Sequence, residues 1–213
     1  MINKIWLSSP HMGVSEQKYV KEAFDTNWVS PLGPNINAFE QGLQEQTTTK
    51  HAAALSSGTS AIHLALILLG VKSGDHVFCQ SITFSATANP IAYQGAYPVF
   101  IDSEPDTWNM DPQLLKIALI EAKQNGRLPK AIIPVHLYGM PAKMSEITAI
   151  ANEFNIPVIE DAAEALGSNI HGKPCGSFGD FGVLSFNGNK IITTSGGGLS
   201  LIHISEPTRQ EAI

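Results

Sequence analysis

Three segments of this sequence put polar or reactive side chains where an apolar run stops. Ser56-Ser57-Gly58-Thr59-Ser60 follows the short run His51–Leu55, Asp161 ends the run in VIEDAAEALGS, and Lys190 lies in SFNGNKIITTSGGG. A glycine at such a break lets the backbone approach a ligand. The first N–H groups of a following helix are unpaired beside the positive end of its dipole, which suits a phosphate. The Walker pattern GxxxxGK[ST] is missing, and taken alone these residues read more plainly as a helix cap. A carboxylate at the end of a buried strand needs a partner, because burying it unpaired is costly. Asp161 can hold a metal, act as a base, pair with a cationic ligand nitrogen, or cap the next helix. No His/Cys/Asp cluster with ligand spacing accompanies it, so no metal is expected. An amine such as that of Lys190 becomes a nucleophile when desolvation or a nearby cation favours its neutral form; otherwise it is an ordinary loop lysine. His136, after a strand end, is a candidate wall of the site. Trp28, in DTNWVSPLGP, either faces a substrate or simply packs.

The elements that must position these groups alternate between strand and helix. Residues 51–55, 76–79, 97–101, 131–135, 156–159 and 181–186 read as strands. Residues 59–69, 85–93, 112–122 and 143–154 read as helices, the third opened by Asp111 as N-cap and Pro112 at the first helical position. Strands separated by helices call for right-handed crossovers and a mostly parallel α/β sheet. The strands are near-continuous apolar runs, as helices on both faces require. In such sheets ligands bind beyond the carboxyl ends of the strands, which is where the three segments fall.

Composition narrows the class. The 213 residues carry a net charge of −6, with 43% hydrophobic and 15% charged residues, against about 25% charged in an average soluble domain. Low charge with a normal apolar fraction excludes disorder and points to a large core, a large interface, or both. No basic run marks a nucleic-acid surface, and no apolar stretch approaches the roughly 20 residues of a membrane span. Cys79 and Cys175 lack CxxC spacing and read as reduced, buried thiols of a cytoplasmic protein.

Together, a phosphate cradle, an aromatic, a strand-end aspartate and a lysine are what pyridoxal phosphate (PLP) needs. The segments NWVSPLGPNINAFE, SSGTSAIHLAL, TFSATANPIAYQGAYPVFID, DTWNMDP, PVHLYG, IEDAAEALGS and GDFGVLSFNGNKIITTSGGG, in this order, resemble the DegT/DnrJ/EryC1/StrS family of nucleotide-sugar aminotransferases. The resemblance implies the large domain of a fold type I PLP-dependent transferase. It implies that Gly58 and Thr59, helped by Ser185, bind the cofactor phosphate, and that Phe84 stacks on the pyridine ring. Asp161 then pairs with the ring nitrogen, and Lys190 carries the cofactor as a Schiff base and moves the proton. Asn27, Trp28 and Ser30 match a loop bordering the sugar nucleotide. Glu164 stands where many relatives have Gln near the cofactor hydroxyl. The FNGNKIITTSGGG form resembles the branch acting on UDP-linked 4-keto-6-deoxy-N-acetylhexosamines, with L-glutamate as donor and a homodimer as the assembly. The rival expectations are a 3-keto sugar aminotransferase, a PLP-binding regulator without turnover, and a phosphate-binding α/β module without cofactor.

The family pattern stops after Gly198. Residues 199–213, LSLIHISEPTRQEAI, match in frame the translation of a transposase sequencing adapter. The expected organisation is an N-terminal arm and a truncated PLP-binding large domain over residues 1–198, and a non-native tail over 199–213. The small C-terminal domain of relatives is then missing, and this chain is expected to turn over little or not at all.

Overall fold

The computed structural model describes Ser9, residues 11–28, Ser30 and residues 32–202. It divides into two units, residues 1–39 and 40–213. In the first, α1 (Glu16–Asp25) buries none of its residues, and Tyr19, Val20 and Phe24 on it are exposed. So short a helix is marginal without a packed face. Its end is closed by Thr26 N–H to Glu22 O and by Trp28 N–H to Ala23 O.

Helix α2 (Pro34–Thr47) runs into the second unit. Glu40, 4% exposed, accepts the Ala54 N–H at 2.9 Å and so ties this helix to β1 (His51–Leu55). Then follow α3 (Gly58–Leu68), β2 (His76–Gln80), a 3-10 turn (Ser85–Thr87), α4 (Asn89–Tyr93), β3 (Tyr97–Ile101), α5 (Pro112–Gln124) and β4 (Ile132–Ile133). A second 3-10 turn (Leu137–Gly139) leads to α6 (Met144–Glu153) and β5 (Ile159–Asp161). A short hairpin, β6 (Asn169–Ile170) and β7 (Lys173–Pro174), precedes β8 (Phe181–Ser185) and β9 (Gly198–Ile202).

Strands β3, β2 and β4 pair in parallel, as do β5 and β8. Parallel bridges Ile132–Val158 and Val135–Asp161 join the two groups edge to edge. Beyond β8 lie β9 and then β1, and β9 is antiparallel to both neighbours. The two-residue period of a strand decides which core each side chain joins. Val77, Cys79, Ile133 and Ile159 pack with Ala61, Ile62, Ala65 and Leu66 of α3. Their neighbours Phe78, Ile132 and Val158 pack with Leu115 and Leu119 of α5 and Ile147 of α6. Helices therefore cover both faces, as the continuous apolar runs require.

Asp111 caps α5 as expected, accepting from Gln113 N–H at 2.7 Å and Leu114 N–H at 3.3 Å. Three expectations need correction. Residues 85–93 form a 3-10 turn and a five-residue helix rather than one helix, because Pro90 has no N–H to continue the ladder. The strand expected over 131–135 is only Ile132–Ile133, since Pro134 cannot donate to a ladder. The strand expected over 156–159 runs instead from Ile159 to Asp161, because parallel pairing with β8 begins at Phe181. Asp161 is the last residue of that strand, as expected. Residues 199–202 of the tail lie in β9, with Leu199 and Leu201 fully buried; residues 203–213 lie outside the described residues.

Candidate active site

The second unit gathers Gly58, Thr59, Asp161, Glu164, Ser185 and Lys190 at the carboxyl ends of its strands. Ser57 caps α3, its Oγ accepting the Ser60 N–H at 3.0 Å. The N–H groups of Gly58 and Thr59, first in the helix, precede any intrahelical bond. A Cβ at Gly58 would stand 3.2 Å from the Ser185 Cβ, and one at Gly198 would collide with the backbone of Ser57 at 2.1 Å. Glycine at both places lets the end of β8 and the start of β9 close under the helix terminus.

Lys190 is set by a loop whose base is Phe186, 2% exposed. Phe186 donates its N–H to Gly197 O, and its carbonyl accepts from Thr194 N–H and Thr193 Oγ1. Lys190 Nζ lies 2.7 Å from Glu164 Oε1, their side chains 12% and 30% exposed. Glu164 Oε2 accepts the Tyr138 N–H at 3.2 Å. The residue expected beside a cofactor hydroxyl is here the counter-ion of the lysine.

Asp161 is 5% exposed. Its Oδ2 accepts from Thr87 Oγ1 at 2.7 Å, and its Oδ1 from Ala163 N–H at 3.2 Å. Burial pushes its carboxyl above the ordinary aspartate value; the hydrogen bonds from Thr87 and Ala163 and the charge of Lys190 offset this only in part. A cation brought to this carboxylate would supply what burial withholds. Phe84, just before the 3-10 turn that carries Thr87, is 76% exposed.

The remaining expected residues are Asn27, Trp28, Ser30 and His136. Asn27, Trp28 and Ser30 belong to the first unit. There Asn27 takes a left-handed backbone (φ 59°), and the Trp28 ring lies where a Cβ at Gly33 would meet it at 2.7 Å. His136, expected as a site wall, is 1% exposed. Its Nε2 lies 2.7 Å from Glu160 Oε1, and its Nδ1 accepts the Ala142 N–H at 2.9 Å. That acceptor makes the ring the Nε2–H tautomer, with no ring nitrogen left for a ligand. Sequence spacing also concealed that His136, Glu160 and Cys175 converge, with ligand-type atoms within 4.8 Å of one another. Glu160 already accepts the N–H groups of Gly176, Phe178 and Gly179 as well as His136. The trio is a hydrogen-bonded clasp between β5 and the loop after β7.

Residues the sequence did not single out complete the site. Thr87 gave one weak signal, standing four residues after Thr83, whose hydroxyl it meets at 2.7 Å. Gln80, a polar end to the run VFCQ, is fully buried.

Residues 10–210 match the DegT/DnrJ/EryC1/StrS aminotransferase family. The chain belongs to that family. It is 63% identical over 199 residues to EpsN of Bacillus subtilis (strain 168), named as a pyridoxal phosphate-dependent aminotransferase, covering 93% of this chain and 51% of that one. It is 44% identical over 196 residues to the GDP-perosamine synthase of Caulobacter vibrioides, covering 92% and 51%. A crystal structure of a DegT DnrJ EryC1 StrS aminotransferase from Brucella abortus superposes with a TM-score of 0.85 at 37% identity, covering 89% of this chain and 51% of that one. The chain spans about half the length of the curated relatives it matches.

The residues of the site fit pyridoxal phosphate, the cofactor of this family, in three respects. Gly58, Thr59 and Ser185 leave backbone donors and a hydroxyl where a phosphate would be held. Asp161 is a buried carboxylate with one hydrogen bond to each oxygen, able to accept a further donor. Lys190 supplies the amine.

Proposed function

We propose that the protein transfers an amino group from L-glutamate, through pyridoxal phosphate, to a nucleotide-linked 4-keto-6-deoxy sugar. The observation that carries this reading is the placement of Lys190, Glu164 and the buried Asp161 in one cluster beside the α3 terminus. When bound, the cofactor supplies an electron sink for the carbanion formed at the donor's Cα. Gly58, Thr59 and Ser185 hold its phosphate. Asp161 keeps the ring nitrogen protonated, and Thr87 keeps Asp161 in place. Lys190 Nζ would hold the cofactor and, once released, would serve as the general base and acid that moves the proton leaving the donor's Cα. Phe84 would stack on the ring, and Asn27, Trp28 and Ser30 would contribute to binding the sugar nucleotide.

The sugar we propose is a UDP-linked N-acetylhexosamine derivative, made for surface polysaccharide or glycan synthesis, with a homodimer as the working assembly. Among the described residues no helix is long and apolar enough to cross a membrane. The free thiols Cys79 and Cys175 support a cytoplasmic setting. We further propose that residues 1–198 are the native part of this chain, that 199–213 derive from an adapter, and that without the small domain of its relatives this chain has little turnover. Rereading the source DNA tests the tail.

The function is tested on the complete coding sequence with a panel of UDP- and GDP-linked 4-keto and 3-keto sugars. Glutamate-dependent amination of a 4-keto sugar, abolished in Lys190→Ala, is the expected result. Preference for a 3-keto sugar overturns the position of the reaction. A cofactor absorbance band without turnover makes the protein a regulator, and no band at all overturns the reading.

A further inference from the structure

The turn Leu137–Gly139 aims the Tyr138 N–H at Glu164, and its shape is unfavourable. Tyr138 has φ 51° and ψ 29°, a left-handed conformation that a side chain with a Cβ resists. Something must hold it. Asn109, fully buried and remote in sequence, grips the turn at both ends. Its Oδ1 accepts the Leu137 N–H at 3.0 Å, and its Nδ2 donates to Met140 O at 2.8 Å. Asn109 is held in turn by Gln80, also fully buried, whose Nε2 donates to Asn109 Oδ1 at 3.2 Å and to Ile82 O at 2.8 Å. Gln80 Oε1 accepts from Met110 N–H at 2.8 Å and Val135 N–H at 3.3 Å. All four hydrogen-bonding positions of the Gln80 amide are therefore taken within the protein.

We propose that Gln80 and Asn109 are positioning residues of the site. They lock the 137–140 turn so that Tyr138 N–H orients Glu164, and Glu164 in turn holds the Lys190 amine. The path is continuous: Gln80 to Asn109, Asn109 to both ends of the turn, Tyr138 N–H to Glu164 Oε2, and Glu164 Oε1 to Lys190 Nζ at 2.7 Å. Both amides are fully buried within the protein. Their effect is to order the groups around the lysine before any ligand arrives, which removes that ordering cost from binding. Buried amides suit this task because a half-satisfied pair is penalised strongly in a low-dielectric interior. The proposal takes Lys190 as the reactive amine, as the function above does, but its test needs no cofactor.

The test measures the rate of Lys190 acetylation by acetic anhydride in the 213-residue chain, peptide by peptide, with Lys116 as internal control. Glu164→Gln should raise the Lys190 rate by about two- to fivefold, as expected for loss of a part-exposed ion pair. Asn109→Ala should raise it comparably, leave Lys116 unchanged, and add nothing in the Glu164→Gln background. Folded Asn109→Ala protein with Lys190 labelled at the parent rate overturns the proposal. Asn109→Ser is the milder variant should the alanine fail to fold. Amide exchange in the unaltered chain gives an independent arm. The Leu137 and Tyr138 N–H groups should be protected like those of β2; exchange at the rate of an exposed turn overturns the proposal without any variant. Addition of PLP to the protein made from the complete coding sequence separates the two readings. Failure to bind PLP with the labelling pattern intact removes the cofactor reading alone, and PLP binding with no labelling response removes the positioning reading alone.

Discussion

Glu160 and Asp161 are adjacent on β5, both buried, and they face opposite surroundings. The Glu160 carboxylate receives three backbone N–H groups and the His136 ring, and it clasps the loop that follows β7. The Asp161 carboxylate receives one hydroxyl and one N–H, and burial drives its pKa upward. The alternation of a strand sends one acid into a closed framework and leaves the other short of partners at the carboxyl end of the strand. An under-satisfied buried charge is costly, and it is retained where a ligand can complete it. The same contrast separates Glu104 from Asp161. Burial raises Glu104 too, but hydrogen bonds from Thr107, Lys143 and the N–H groups of Asp106 and Thr107 outweigh it and hold the carboxyl at about 2.

The comparison is broken most readily at its closed side. Glu160→Ala should cost about 3–5 kcal/mol, because it strands His136 and three backbone donors, measured by urea unfolding. Asp161→Asn should shift stability by no more than about 1 kcal/mol, since it removes a poorly compensated charge, while abolishing amino transfer in the complete enzyme. A larger stability loss in Asp161→Asn than in Glu160→Ala would reverse the assignment.

Next in size, Thr87→Val should lose about 1–2 kcal/mol for the hydrogen bond to a buried carboxylate. It should also move the pH dependence contributed by Asp161 to still higher pH. The sign follows from linkage: a carboxyl raised in the folded state favours folding below its unfolded pKa, and that advantage is lost as pH rises through the folded value. Glu104 behaves oppositely. Its contribution is present above the ordinary glutamate range and disappears as pH falls through about 2. Melting temperatures of the parent and Glu104→Gln should therefore differ near neutrality and converge in acid.

The smallest structural effect is expected at the rim. Phe84 is 76% exposed, so Phe84→Leu should change stability by less than about 0.5 kcal/mol. Loss of aromatic stacking should weaken PLP binding about two- to tenfold, measured by fluorescence titration of the complete enzyme.

Much of this arrangement was legible beforehand. Apolar periodicity located every strand from β1 to β5 and β8 within a few residues, because burial on one or two faces imposes that period. The helices after Ser57, Asp111 and Lys143 were legible from capping residues and apolar spacing. The break at residues 85–93 was harder to see, since Pro90 is tolerated in the first turn of the helix it starts. Gly58, Thr59, Asp161, Ser185 and Lys190 stood out because reactive groups following apolar runs are few, while Glu164 was pointed to only by the family resemblance. Gln80, Thr87, Asn109 and Tyr138 did not. A buried amide, a hydroxyl in a turn and a backbone N–H look ordinary until their partners, 74 residues away for Thr87 and Asp161, are known.

The sequence by itself determined the class of the fold, the strand ends and the candidate side chains that stand at them, because these depend on local periodicity and residue type. The tertiary structure alone decided that His136 is spent on Glu160, that Glu164 pairs with Lys190, and that β9 runs against its neighbours. Each is a contact between segments far apart in the chain, and the free energy that selects it exists only once the sheet has brought those segments together.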